Sequence, residues 1–192
     1  MQERRFVEQM RRNVRGRHLC FADCEFGPEA AKVVAALVRC KDAFATLDLR
    51  KNNLGNEGVK HLCGGLVANT SLVHIDVGNN DIGPEGSTML FETLARSSSA
   101  GGGGSVVSLD FSNKEARHRN RAGPRACPAL KSLLCASPVL TILNINDARI
   151  GNEGLAILSA GLKSSSALAS LDLGSNDLSG SVLEHIAPLL RS

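Results

Sequence analysis

The sequence of 192 residues has no tryptophan and no tyrosine, and aromatic residues make up only 3% of it. Its core is therefore expected from Leu, Val, Ile and Ala, which a hydrophobic content of 43% supplies amply. The same scarcity weighs against gripping single-stranded nucleic acid by stacking bases on rings. No apolar run approaches the roughly 18 residues that a membrane-spanning helix needs. The opening Met-Gln-Glu-Arg-Arg-Phe lacks the apolar stretch of a secretory signal. None of the six cysteines forms a Cys-x-x-Cys pair, and their spacing fits no zinc pattern. The expectation is of reduced thiols in an intracellular, cytoplasmic protein with no metal, no cofactor and no membrane contact. One N-glycosylation triplet, Asn69-Thr70-Ser71, is read as a chance occurrence.

The net charge of +3 is too small to argue for nucleic acid by itself. Its distribution says more. Residues 1–17 hold Arg4, Arg5, Arg11, Arg12, Arg15 and Arg17 against Glu3 and Glu8. Residues 114–125 hold Lys114, Arg117, Arg119, Arg121 and Arg125 against Glu115 alone. The remainder is net acidic.

What the chain does have is an internal repeat. Leu47-Asp48-Leu49-Arg50-Lys51-Asn52-Asn53-Leu54-Gly55-Asn56-Glu57-Gly58 aligns, 28 residues on, with Ile75-Asp76-Val77-Gly78-Asn79-Asn80-Asp81-Ile82-Gly83-Pro84-Glu85-Gly86. A copy starts 28 residues earlier at Leu19, two more start at Leu143 and Leu171, and an irregular one starts at Leu109. In each, an alternating apolar pair such as Leu47/Leu49 predicts a short strand, and apolar residues at helical spacing (Val59, Leu62, Leu66) predict a helix after it. Gly55 turns the chain between the two. Pro28, Pro84 and Pro124 stand where a first helical residue is wanted, and Gly58, Gly86 and Gly154 are expected to let helix approach strand. Asn52, Asn80 and Asn176, with Cys24 in the first copy, are expected to bond backbone where the strand ends. No unit buries both its faces alone, so the units must stack into a parallel sheet backed by helices.

With its Asn-or-Cys position and its Leu-Gly-x-Glu-Gly turn, the repeat resembles the ribonuclease-inhibitor-like subfamily of leucine-rich repeat proteins over nearly the whole chain. The resemblance implies an α/β leucine-rich repeat solenoid of about six repeats, with a curved parallel sheet inside and helices outside. Residues 3–14, within a segment 1–18, read as the helix of a preceding repeat or an N-terminal cap, and 19–192 as the repeats. The subfamily includes the sensor arrays of NOD-like receptors, the GTPase activator of Ran, and flagellar and cytoskeletal scaffolds.

Two spacings, Ile75 to Leu109 and Leu109 to Leu143, exceed the period by six residues. The first excess, near 97–105, is rich in Ser and Gly and is expected to be a flexible loop. The second, near 114–122, is filled with Arg and is expected to be a mobile surface loop where it lacks a partner. Counting from Leu109 puts Lys114 at the asparagine position, so this copy loses its Asn.

The candidate surfaces follow from the strand pattern. Concave-face candidates are Thr46, Asp48, Arg50, His74, Asp76, Asp110, Asn144, Asn146 and Asp172. Asp48, Asp76, Asp110 and Asp172 form a column broken by Asn144. Stacked carboxylates repel, so the column reads either as an acidic binding stripe or simply as solvated Asp in the family's Leu-Asp-Leu strand. Basic-loop candidates are Lys114, Arg117, His118, Arg119, Arg121 and Arg125, suited to carboxylate or phosphate; the alternative is a solvated loop. The five histidines do not converge, and His74 with Asp76 offers the one acid–base pairing, so the chain reads as non-enzymatic. The expected function is a protein–protein interaction scaffold, within a larger complex. The alternatives are a small-GTPase regulator, by resemblance to the Ran activator, or an RNA or acidic-surface binder using the Arg-rich loop.

Overall fold

The computed structural model describes residues 4, 7, 8, 11, 12, 16–40, 44–67, 69–99, 105–180 and 182. The helix expected over 3–14 lies mostly outside them, with residues 4, 7, 8, 11 and 12 helical. Strand and helix then alternate: β1 (His18–Cys20), α1 (Gly27–Cys40), β2 (Thr46–Asp48), α2 (Gly55–Leu66), β3 (His74–Asp76), α3 (Pro84–Ser99) and β4 (Ser108–Asp110). A 3-10 turn (Pro124–Ala126) leads into α4 (Cys127–Ala136), followed by β5 (Ile142–Asn144), α5 (Gly151–Ser164) and β6 (Ser170–Asp172). The strands form one six-stranded sheet in chain order. Every pairing is parallel, with Leu19, Leu47, Ile75, Leu109, Leu143 and Leu171 in register. This is an α/β solenoid, and the repeat period sets its register directly.

Leu47, Leu49, Ile75, Val77, Leu109 and Phe111 are essentially fully buried between the sheet and helix residues such as Val59, Leu62, Leu90 and Leu130. At about 25 cal/mol per Å² of apolar surface, burial of this row is the main force closing each unit onto the next. The strands are three residues long, so lateral stacking holds them.

Where the strands end, buried asparagines join the units. Asn52 Oδ1 accepts from the Cys24 and Phe26 amides at 3.0 and 3.3 Å, and its Nδ2 donates to the Phe21 and Leu49 carbonyls. Asn80 does the same for Asn52 and Leu54, and Asn176 for Ala148 and Ile150. Outside the fourth unit, the ladder positions lie between two residues of positive φ, such as Lys51 (61°) and Asn53 (52°) around Asn52.

The fourth unit departs from the expected pattern. Lys114 does not take the ladder position. Asn120 does: its Oδ1 accepts from Asn80 and Ile82 at 2.9 and 3.1 Å, and its Nδ2 donates to Val77 and Phe111. The six extra residues leave the ladder before it and return. Asn113 closes the neck of the excursion, its Oδ1 accepting from the Asn120 amide and its Nδ2 donating to the Asn120 and Asp147 carbonyls. Asn113 thereby serves the amide that the fifth unit cannot, because Ala148 stands at its ladder position.

The segment near 97–105 also differs. Helix α3 runs through Ser99, and the Ser97 and Ser98 hydroxyls donate to carbonyls one turn back. Serine can satisfy such a helix end with its own side chain. Ser105 then anchors the chain by donating to the Leu72 carbonyl at 2.6 Å, while 100–104 lie outside the described residues.

The conserved-looking glycines work between helices as much as toward strands. A Cβ on Gly58 would meet Leu54 Cβ at 2.8 Å and Pro28 Cα at 3.3 Å, and one on Gly154 would meet Cys127 Sγ at 2.6 Å. These glycines admit the preceding unit's helix start, so the expected approach of helix to strand is corrected to helix on helix.

Candidate functional site

Alternation in the strands leaves one sheet face without a helix over it among the described residues. On it His18, Cys20, His74, Ile142, Ser170 and Asp172 are exposed, and Thr46, Asp48, Asp76, Ser108, Asp110 and Asn144 are half-buried. The carboxylate column is real in register, running Asp48, Asp76, Asp110, Asn144, Asp172. Its members are not simply solvated. Each Oδ1 accepts the amide two residues on: Arg50 from Asp48, Gly78 from Asp76, Ser112 from Asp110, Asn146 from Asn144 and Gly174 from Asp172, at 2.9 to 3.2 Å. The side chain therefore caps the strand's end, and Asn serves as well as Asp, which explains how Asn144 enters the column.

The column's charge is also partly answered from within. Arg50 pairs with Asp48 at 3.2 Å, and Lys114 with Asp110 at 2.9 Å. Burial alone would raise the Asp110 pKa, but the Ser112 and Lys114 hydrogen bonds hold it below the ordinary value. The Lys114 pKa is raised by its bond to Asp110. Asp76 has no such cation bonded to it among the described residues. Burial, with the charges of Asp110 and Asp48 beside it, pushes its pKa up to about 6, against the Gly78 amide and the more distant Lys114. Asn146 Nδ2 reaches Asp172 at 3.2 Å, and His18 Nδ1 bonds Thr46 Oγ1 at 2.9 Å. His74 is exposed on this face, but no hydrogen bond joins it to Asp76 among the described residues.

The Arg-rich excursion is bonded to the units on either side of it. Asn79 grips it by three bonds: its Nδ2 donates to the Glu115 and Arg117 carbonyls, and its Oδ1 accepts the Lys114 amide. Lys51 pairs with Glu115, and His118 with Asp81 at 2.6 Å. Arg119 is the charge partner of Asp147, whose buried Oδ2 makes no aligned hydrogen bond of its own. The excursion so spans from the second unit (Lys51) to the fifth (Asp147). The opposite charges that fix it stand in neighbouring turns, 64 and 37 residues away in sequence for Lys51 and Asp81. Nothing in a linear reading brings those turns together except the stacking itself.

The six basic candidates consequently separate. Lys114, His118 and Arg119 are engaged inside the molecule. Arg117 and Arg121 are exposed with no ion pair among the described residues. Arg125 lies on the helix side, lining a groove of about 360 Å³ with Glu85, Thr88, Met89 and Glu92. Sequence reasoning missed Asn79, Asn113 and Asn120, which build the excursion's base. It also missed Arg149, exposed in the next turn. The usable signal was the second asparagine six residues beyond the expected one.

A family model for the leucine-rich repeat matches residues 45–63, 68–91 and 136–159. Human NACHT, LRR and PYD domains-containing protein 13 is 29% identical over 158 residues; the match covers 82% of this chain and 14% of that protein's length. The leiomodin-1 actin-binding site 2 structure superposes with a TM-score of 0.65 at 15% identity, covering 85% of this chain and 87% of that one. The tropomodulin C-terminal domain of Caenorhabditis elegans gives 0.56 at 9% identity, covering 99% and 91%. At those identities the likeness is one of fold. No helix among the described residues is long and apolar enough to cross a membrane. Repeat units recognised from the sequence, stacked strand on strand with asparagines bonded between them, give this chain the fold of an α/β leucine-rich repeat solenoid.

Proposed function

We propose that the chain is a non-catalytic protein-recognition module, binding partners in a larger complex through the uncovered sheet face and the basic excursion at its edge. The carrying observation is that face: six adjacent strands present one continuous row of side chains with no element packed over it among the described residues. A sheet is normally covered on both faces when its strands are parallel; a solenoid leaves one free, and extended concave surfaces of this kind suit macromolecular partners. Ile142, an apolar side chain 43% exposed in the middle of a polar row, fits the mixed character of protein-binding surfaces. The Asp caps, being committed to the backbone, contribute shape and partial charge rather than a free acidic stripe.

Photo-crosslinking tests this. A crosslinking residue at His74 is expected to capture protein of discrete mass from native extracts after nuclease treatment. The same residue at Lys60, on the helical side, is expected to capture none. Capture from Lys60 alone, or loss of every His74 product on nuclease treatment, defeats the reading.

A further inference from the structure

We propose that Arg117, Arg121 and Arg149 form a single anion-accepting edge, and that its occupant is a short acidic segment of a partner protein. The inference rests on the protein-recognition reading above and adds where, and by what chemistry, the partner is held.

The excursion sorts its own cations. Lys114, His118 and Arg119 are turned back onto Asp110, Asp81 and Asp147. The exposed side chains of Arg117, Arg121 and Arg149 have no ion pair or hydrogen bond among the described residues. A loop that merely had to neutralise its neighbours has no use for the surplus.

The backbones bearing these arginines are tied into adjoining turns of the stack. Asn79 Nδ2 holds the Arg117 carbonyl at 2.8 Å. The Arg121 amide donates to the Ile82 carbonyl at 2.7 Å, and the Gly123 amide to the Ala148 carbonyl at 3.0 Å. Gly123 lies so close to the next turn that a Cβ there would sit 3.9 Å from the Arg149 carbonyl oxygen. Charges mounted on a fixed backbone lose less freedom on binding.

Position in the repeat supplies the second line of argument. Counted from the ladder residue, Arg121 and Arg149 occupy one turn position in successive units. The other units place Glu25, Asn53, Asp81 and Asp177 there. Two adjacent turns have thus exchanged acidic or neutral side chains for arginine, and only where the excursion adds Arg117.

Guanidinium groups suit carboxylates and phosphates alike, but the setting favours the protein partner. The basic stretch is two units long and ends against Asp81 on one side and Asp177 on the other, too short to track a polyanion backbone. The described phenylalanines are buried or half-buried (Phe21, Phe44, Phe91 and Phe111 at 3% exposure or less), so none of these rings stands exposed to stack a base.

The test measures fluorescence anisotropy of a labelled peptide of about eight residues alternating Asp and Ser, titrated with the full chain at several salt concentrations. R117S/R121S/R149S is compared with K32S/R39S/K60S, which removes the same charge from α1 and α2. Wild type is expected to bind, more weakly as salt rises. The edge variant should bind about tenfold more weakly with a shallower salt dependence, and the control within about twofold of wild type. The single variant R121E, which leaves two arginines in place, should fall between. Equal losses in both triple variants, no loss in the edge variant, or tighter binding of an RNA strand of equal charge overturns the proposal. Crosslinking at His74 is independent of this edge, so its persistence in the edge variant separates a failed edge from a failed recognition module.

Discussion

Asp76 is set apart from the paired acids of its column: Asp48 has Arg50 and Asp110 has Lys114 as ion-pair partners, whereas Asp76 has the Gly78 amide, two like charges beside it and Lys114 only at a distance. Its folded pKa of about 6 lies above the ordinary 3.8, so the folded state favours the protonated form. The stability it allows is fully present below the unfolded value and is lost as pH rises through 6. Asp76→Asn keeps the cap, as Asn144 does for the Asn146 amide, and removes the charge. The variant is expected to melt about 2–4 °C above wild type at pH 7.5, the advantage shrinking to nothing by about pH 4. A constant advantage at both pH values would mean that the charge is not its source. The reassigned ladder gives a second check. Asn120→Ala should cost about 2–4 kcal/mol, like Asn80→Ala, because each removes several buried hydrogen bonds. Lys114→Ala should cost no more than about 1 kcal/mol, since it loses one exposed ion pair. The ladder was legible in the sequence wherever the count from the strand held. At the fourth unit it failed, since a fixed count of five lands on Lys114, and only the returning backbone brings Asn120 to the place.

The excursion is an element in its own right, and its construction suggests how to remove it. Joining Asn113 to Asn120 restores the regular distance from Leu109 to the ladder asparagine. The sheet and the outer helices should therefore survive deletion of 114–119. What is lost is the Asn113 clasp, which serves the Asn120 amide in place of the side chain that Ala148 lacks. Deletion is expected to lower the melting temperature by several degrees, and Ala148→Asn should recover part of it by completing the ladder. In the intact chain the same Ala148→Asn should destabilise, because residue 148 is fully buried beside the clasp. Thermal melts of the four chains decide it, and recovery in both contexts would show that the clasp is not what fills the gap. Element boundaries were partly readable in advance. The Ser/Gly composition near 97–105 spoke for a loop, but the hydroxyls of Ser97 and Ser98 bond the preceding turn and carry α3 onward. The Arg-rich stretch reads as mobile only where it lacks a partner. The solenoid supplies partners within the chain, in the Lys51–Glu115 and Asp147–Arg119 ion pairs and the Asp81–His118 hydrogen bond.

Across the whole molecule the strands repeat faithfully, but the helices do not pack alike. At one helix position, Gly65 faces Ala35 so closely that a Cβ would lie 2.5 Å from its carbonyl oxygen, and Gly161 faces the Lys131 backbone at about 3.2 Å. The third unit has Thr93 there, buried at 2% exposure, its hydroxyl donating to the Met89 carbonyl at 2.8 Å. The sequence shows interchangeable repeats, yet the helix layer is matched pair by pair, and periodicity is blind to this because each interface involves two units. Deleting residues 47–74 makes the difference measurable. The junction Thr46-Ile75-Asp76 keeps the strand, and Asn80 inherits the place of Asn52, so the inner layer should close. In the outer layer Thr93 now meets the Ala35 backbone where only glycine fitted, and overpacking there is expected to cost about 1–3 kcal/mol. Adding Thr93→Gly should therefore raise the melting temperature of the shortened chain. In the full-length chain the same change should lower it, since glycine inside a helix costs about 1 kcal/mol and the buried Thr93 side chain is removed. If Thr93→Gly destabilises both chains, the helices adjust freely between units and the layer is not matched pairwise.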